Sequence, residues 1–201
     1  MTTSPLNDLA ARLEAAEALD GPAEAIGRTV RGAIPEGAPK DALSGTWLGH
    51  ALHPLLTDVP IGTWTSSILL DWIGGRDSRA AADRLLLTGI LAAGAVVATG
   101  WSDWADAEAR DPRVRRSGLV HAAANATATV LMAGSYASRK RGARGRGKLL
   151  SLAGSAALGC GGWLGGHLSY TLGAGVDASA PAAGTQAAAT RVPEPVSTPV
   201  S

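Results

Sequence analysis

The sequence predicts an all-α fold: an integral membrane four-helix bundle with an N-terminal amphipathic helix and a disordered C-terminal tail. Charged and apolar residues are separated into blocks, although the mean hydropathy of the 201-residue chain is only +0.11. Four apolar runs come close to the ~20 residues that a helix needs to cross the hydrocarbon layer. The 26 glycines and the absence of phenylalanine also suit helices that pack closely through small side chains in lipid.

The N-terminal segment, residues 1–44, is predicted to lie outside the bundle. Apolar residues recur at helical spacing between residues 5 and 19, which indicates a short amphipathic helix. Prolines and glycines in residues 21–44 indicate a linker with room for one more short helix around residues 23–32. The first 20 residues are polar and lack the apolar core of a signal peptide, so we expect the first membrane helix to act as the insertion signal.

The predicted membrane domain covers residues 45–176, and its four helices are predicted at residues 55–73, 85–101, 117–138 and 149–172. The last three contain no Asp, Glu, Lys or Arg, whereas the first carries Asp58 and Asp71 near its ends. Continuous apolarity without strict alternation favours helices over a barrel. In the fourth helix, two overlapping G-x-x-x-G pairs permit close approach by a neighbouring helix or a flat ligand. Residues 177–201 are rich in Ala, Pro, Ser and Thr, and we predict that they form a disordered tail.

Charge in the loops predicts the orientation in the membrane. Residues 139–148 contain six basic residues and no acidic one, so we expect this loop to stay in the cytoplasm. Alternation then places the loop after the first helix inside, and the loop after the second helix and both termini outside. Topology accounts for the basic loop without a nucleic-acid partner, and the expected partner is the lipid bilayer.

The four histidines of the chain are predicted to meet at one end of the bundle. His50 and His53 precede the first predicted helix, His121 lies one turn into the third, and His167 lies about one turn from the end of the fourth. Alternate crossings bring the start of helices one and three and the end of helix four to the same face. In the orientation given above, that face is the outer one.

Imidazole is a common ligand of transition metals and of haem iron, and histidine in an apolar span suggests a functional site. The sequence makes His121 and His167 the first candidate pair, with His53 as the third ligand, for haem b or a transition metal. Neighbouring side chains can orient or cover such a ligand, and carboxylates can orient the imidazoles. The predicted cofactor-binding residues are His53, His121, His167, Asn125 and Trp163. The predicted metal-binding residues are His50, His53, His121, His167, Asp58 and Asp103.

The sequence gives less support to cysteine-based sites, enzymatic sites or a transport pathway. Cys160 is the only cysteine, which excludes an internal disulfide and any iron–sulfur cluster held by this chain alone. No nucleophile with a base and no phosphate loop can be identified, so no enzymatic activity is assigned. A transporter or proton relay would need an acidic residue at mid-membrane, and none is found. Alternatively, the histidines serve as interfacial hydrogen-bonding groups.

The motifs of the domain resemble a bacterial membrane family called domain of unknown function 2231. The similar stretches are residues 49–64 (GHALHPLLTDVPIGTW), 99–104 (TGWSDW), 118–121 (GLVH) and 165–170 (GGHLSY). The resemblance implies a four-helix inner-membrane domain of no established activity. The positions that match the family's motifs are His50, His53, Pro54, Asp58, Pro60, Gly62, Asp103, His121, Gly166 and His167.

Some relatives in this family look like fusions with a Rieske-type ferredoxin domain, which suggests electron transfer by association. This chain departs from that pattern because its tail has no Cys or His ligands for such a cluster, so a redox partner would be a separate polypeptide. The leading hypothesis is therefore a membrane protein that binds haem or a metal and serves electron transfer. The alternative is a membrane anchor or scaffold for a partner protein, with structural histidines.

Overall fold

Every regular element in the computed structural model, which describes residues 4–175, is a helix, and this confirms the all-α class. Three short helices come first: α1 (Pro5–Glu14), α2 (Asp20–Ala33) and α3 (Ala38–Ser44). Four long helices follow: α4 (Leu52–Ile73), α5 (Arg79–Glu108), α6 (Pro112–Lys140) and α7 (Arg144–Gly166). A π-helical turn, His167–Thr171, continues α7. The predicted tail, residues 177–201, lies outside the described residues.

The N-terminal segment contains more helix than the sequence suggested. The single helix expected over residues 5–19 ends at Glu14, and the expected linker is occupied largely by α2 and α3. Pro22 and Pro39 do not interrupt these helices because each lies in a first turn, where the missing N–H group has no helical partner to lose. We call α1–α3 together the N-terminal cap.

The long helices extend beyond the apolar runs that predicted them. α5 has 30 residues and α6 has 29, because charged residues at their ends continue the helix past the apolar part. Two predicted positions therefore change. His53 does not precede the first long helix but lies in the first turn of α4, and His121 lies more than two turns into α6 rather than one.

The long helices bury small polar side chains beside a few large apolar ones, such as Leu86 and Met132, and expose many large apolar side chains. Five serines are fully buried at helix contacts: Ser67, Ser102, Ser117, Ser135 and Ser151. Large apolar side chains point outward from all four helices, among them Leu69, Leu91, Val130 and Leu149. An apolar exterior around a core of small residues is typical of helices surrounded by lipid. By length and hydropathy, α5 and α7 can each cross a membrane.

Charged side chains from all four long helices meet at the end of the bundle that carries the basic loop. Arg139 of α6 is fully buried, with Nη2 2.6 Å from Asp71 Oδ2 of α4 and Nη1 3.4 Å from Asp83 Oδ1 of α5. Arg144 of α7 bridges the same two carboxylates, at 2.6 and 3.1 Å. The Arg139–Asp71 contact is a charge contact rather than a well-directed hydrogen bond, since Asp71 Oδ2 has no hydrogen-bond partner. We call these four residues the loop-end ion cluster.

Candidate functional site

Two of the four histidines face each other at the opposite end of the bundle from the loop-end ion cluster. The ring centres of His53, on α4, and His121, on α6, lie 6.5 Å apart, and the ring planes meet at 77°. Both rings are partly buried between the long helices. The structure thus brings together one imidazole from each of two non-consecutive helices.

Each of these two imidazoles is oriented by a backbone carbonyl of the next helix. His53 Nδ1 lies 3.0 Å from the carbonyl oxygen of Val96 on α5, and His121 Nδ1 lies 2.8 Å from that of Gly161 on α7. A carbonyl oxygen can only accept, so Nδ1 carries the proton and donates in both neutral rings. In this tautomer Nε2 is the accepting nitrogen of each ring: Asn125 Nδ2 lies 3.3 Å from that of His121, and the lone pair of His53 Nε2 has no hydrogen-bond donor within residues 4–175.

Glycines on the adjacent helices make room for both rings. A Cβ atom at Gly100 of α5 would lie 2.7 Å from His53 Cε1, and one at Gly165 of α7 would lie 3.0 Å from His121 Cε1. Each ring therefore rests directly on bare helix backbone. The G-x-x-x-G pair formed by Gly161 and Gly165 thus receives side chains of α6 rather than the helix backbone itself.

Asn125 and Trp163, predicted to bind the cofactor, each lie next to the histidine that is one helical turn away. Asn125 Nδ2 donates to the His121 backbone carbonyl at 2.9 Å and lies 3.3 Å from His121 Nε2. Trp163 stacks on His167, with ring centres 5.9 Å apart and planes 16° from parallel. Helical spacing alone was sufficient to predict these neighbours.

His167 has a different partner from the one predicted. Its Nε2 lies 2.7 Å from Glu14 Oε1, at the end of α1, so it joins the N-terminal cap to α7. His121 therefore packs against the ring of His53 and not against that of His167. The His167 ring contacts Glu14 and Trp163 instead. No sequence pattern indicates this contact, because α1 and the end of α7 are far apart along the chain.

The remaining predicted metal ligands, His50, Asp58 and Asp103, form no hydrogen bond with His53 or His121 within residues 4–175. His50 and Asp58 are exposed and line a shallow cavity of about 460 Å³ with Pro54 and Leu55. Asp103 is partly buried on α5, and neither it nor Asp58 hydrogen-bonds a histidine within residues 4–175. No group of three or more His, Cys, Asp or Glu residues in this range is arranged to hold a metal ion.

The N-terminal cap is held to α5 and α6, near the candidate site, by ion pairs that the sequence analysis missed. Glu108 of α5 is buried between Arg31 of α2, at 2.5 Å, and Arg115 of α6, at 2.9 Å. Arg116 of α6 donates to Asp20 at 2.6 Å, and this guanidinium holds the pKa of the Asp20 carboxyl below its usual value. The available signal was charge complementarity between the acidic residues of α1 and α2 and the basic run at the start of α6.

Comparison with known protein families identifies one family that matches the chain. A family model described as "Predicted membrane protein (DUF2231)" matches residues 49–178, a range that includes all four histidines. No curated protein and no solved structure is significantly similar to the chain.

Proposed function

Because this chain belongs to the family of predicted membrane proteins DUF2231, we propose that it binds one metal centre between His53 and His121 and serves electron transfer in the membrane. The centre is a haem iron or a bare transition metal ion. Both use neutral imidazole as a ligand, and haem iron or a redox-active ion such as iron or copper would supply one-electron chemistry when bound. The redox partner is a separate protein.

The observation that carries the proposal is the distance between the two rings. Two imidazoles that bound the same metal ion, each at a metal–nitrogen distance of about 2.0 Å, would have ring centres no more than roughly 6.3 Å apart. The His53 and His121 ring centres are 6.5 Å apart. His53 and His121 would be the residues that hold the group, since their ring spacing is close to this limit.

The rest of the chain prepares these nitrogens for a ligand. The carbonyl groups of Val96 and Gly161 accept from Nδ1 of each ring and so fix the orientation of its Nε2 atom. Gly100 and Gly165 restrict ring movement from the other side. Asn125 lies close enough to donate to a group at His121 Nε2.

The proposed arrangement in the membrane has all four long helices crossing the bilayer of a bacterial inner membrane. The hydropathy of α5 and α7 and the exposed apolar side chains of α4 and α6 support this. The basic loop, residues 139–148, lies in the cytoplasm, and the N-terminal cap lies outside. The His53–His121 pair is then near the outer face, where an external redox protein can approach.

The experiment is an absorption spectrum and a metal analysis of the full chain extracted in detergent. A Soret band identifies haem, and a stoichiometric metal without that band identifies a bare ion. We expect His53→Ala and His121→Ala each to abolish the signal. His50→Ala is the matched control, because it removes an exposed imidazole only a few residues away.

Two results would overturn the proposal. One is the absence of both a Soret band and a stoichiometric metal in the unaltered protein. The other is a signal that survives in His53→Ala and His121→Ala while both variants keep the helical circular dichroism and the gel-filtration profile of the parent. Either result leaves the anchor or scaffold alternative, with structural histidines.

A further inference from the structure

A groove between α6 and α7 opens at the same end of the bundle as the loop-end ion cluster. Its volume is about 320 Å³, near the lower end of the roughly 300–1,000 Å³ that small-molecule sites occupy. Val130, Leu131 and Leu150 form an apolar wall, and Arg141 and Arg146 lie among the lining residues at the loop. The groove thus has an apolar part beside the helices and a basic part beside the loop.

Only some of the basic residues in the loop form ion pairs. Three of its six basic residues pair with Asp71 or Asp83, and Lys148 donates to the Asp71 carbonyl oxygen. The other two are Arg141 and Arg146, which have no ion-pair partner within residues 4–175 and are exposed. Both line the groove, and no carboxylate does. Two unneutralised positive charges therefore border an apolar channel.

We propose that this groove binds an anionic phospholipid, with the phosphate between Arg141 and Arg146 and an acyl chain along Val130, Leu131 and Leu150. α7 is long and apolar enough to cross a membrane, and its first turn follows Arg141, so both arginines lie at headgroup depth. Basic pockets between membrane helices bind anionic headgroups in this way. The site is independent of the histidine pair and of which leaflet the loop faces.

Gly134 keeps the apolar part of the groove open. A Cβ atom there would meet only Leu150 Cδ1, at 3.7 Å, which is an ordinary contact. A larger side chain at this position would occupy the groove without changing any charge. Gly134→Leu therefore tests the acyl-chain part of the site separately from the arginines.

The test is native mass spectrometry of the full chain in detergent, titrated with dioleoylphosphatidylglycerol or dioleoylphosphatidylcholine. We expect preferential binding of phosphatidylglycerol. The double variant Arg141→Gln, Arg146→Gln should weaken that binding roughly thirtyfold, about fivefold for each arginine near a membrane surface. Gly134→Leu should weaken binding of the same lipid, while Gly94→Leu, at an open position on α5, should not.

The matched charge control is Arg76→Gln, Arg84→Gln, which removes two exposed arginines at the same end, one in the α4–α5 connection and one near the start of α5. Equal weakening by both double variants would mean general attraction to the membrane surface and would overturn the proposal. So would equal affinity for the two lipids, or full competition by inorganic phosphate, which would indicate a phosphate site without an acyl chain. Circular dichroism of each variant shows whether the fold is kept, and a folded Gly134→Leu variant with unchanged affinity would exclude the acyl channel.

Discussion

Gly100 and Gly165 determine where the two imidazoles of the candidate site can lie. Each lies on a helix that faces a histidine ring, and the absence of a side chain allows the ring to approach the helix backbone. Neither glycine has an unusual backbone conformation, since both lie within ordinary helix. Glycine normally weakens a helix by about 1 kcal/mol relative to alanine, so its use here needs a packing reason. Contact with His53 and His121 provides that reason.

Replacing either glycine should destabilise the protein. We expect Gly100→Ala and Gly165→Ala to lower the free energy of unfolding by about 1–3 kcal/mol, because the new methyl group overlaps the imidazole ring. Gly94→Ala and Gly162→Ala are the controls, since a Cβ atom at either position meets nothing within 4 Å. These should be neutral or stabilising by about 0.4–1 kcal/mol. Unfolding in a titration with a denaturing detergent distinguishes the two groups, and equal effects would contradict the packing argument.

At the scale of elements, the loop-end ion cluster fixes the four long helices relative to one another. Arg139 contributes a fully buried guanidinium to carboxylates on α4 and α5, and Arg144 brings α7 to the same carboxylates. Buried charges of this kind require partners, because an unpaired charge away from water is costly. The cluster therefore restrains both the rotation and the height of each helix. Because His53 and His121 lie on α4 and α6, this restraint also helps to fix their positions at the opposite end of the bundle.

Removing the buried guanidinium should be far more harmful than removing an exposed one from the same helix turn. Arg139→Met leaves Asp71 and Asp83 with fewer partners, and we expect a loss of about 3–5 kcal/mol in unfolding free energy. Lys140→Met removes an exposed ammonium 3.9 Å from Asp83 and should cost about 0–1 kcal/mol. Similar losses in the two variants, measured by the same unfolding titration, would show that the cluster does not hold the helices.

At the scale of the whole molecule, the ion pairs of the N-terminal cap hold it at the end of the bundle where the short connection between α5 and α6 lies. The cap and this connection must therefore be on the same side of a membrane. Arg115 and Arg116 follow that connection directly and bind acidic residues of α2. The basic loop between α6 and α7 is separated from it by the full length of α6. If α6 crosses the bilayer, the cap and the basic loop must lie on opposite sides.

This topology can be tested with single cysteines in a Cys160→Ser background. We expect an impermeant maleimide to label Glu36→Cys, in the exposed part of the cap, in spheroplasts. Lys140→Cys, at the basic loop, should be labelled only after lysis. The reverse pattern would overturn the proposed orientation, and labelling of both from one side would overturn the four-span arrangement.

The sequence predicted the four long helices and placed His53 and His121 at one end of them, but it did not predict the contacts between the helices. Counting helices brought His53 and His121 to one end, whereas their pairing depends on how α4 and α6 rotate about their axes. Apolar side chains occupy both the inner and the outer faces of these helices, so periodicity does not show which face is inside. Glu14 and His167 are 153 positions apart, and their contact has no local signal.

The cap has a further consequence for how the protein is made. Glu14, Asp20 and Glu24 leave the ribosome long before Arg115, Arg116 and His167, with which they pair. Until α6 and α7 are synthesised, these acidic residues lack the partners that they have in the complete protein. A translation pause or truncation before residue 112 would strand Glu108 without Arg115 and expose the segment to proteases. Completion of the last two long helices is therefore the step that allows the N-terminal cap to form all of its ion pairs.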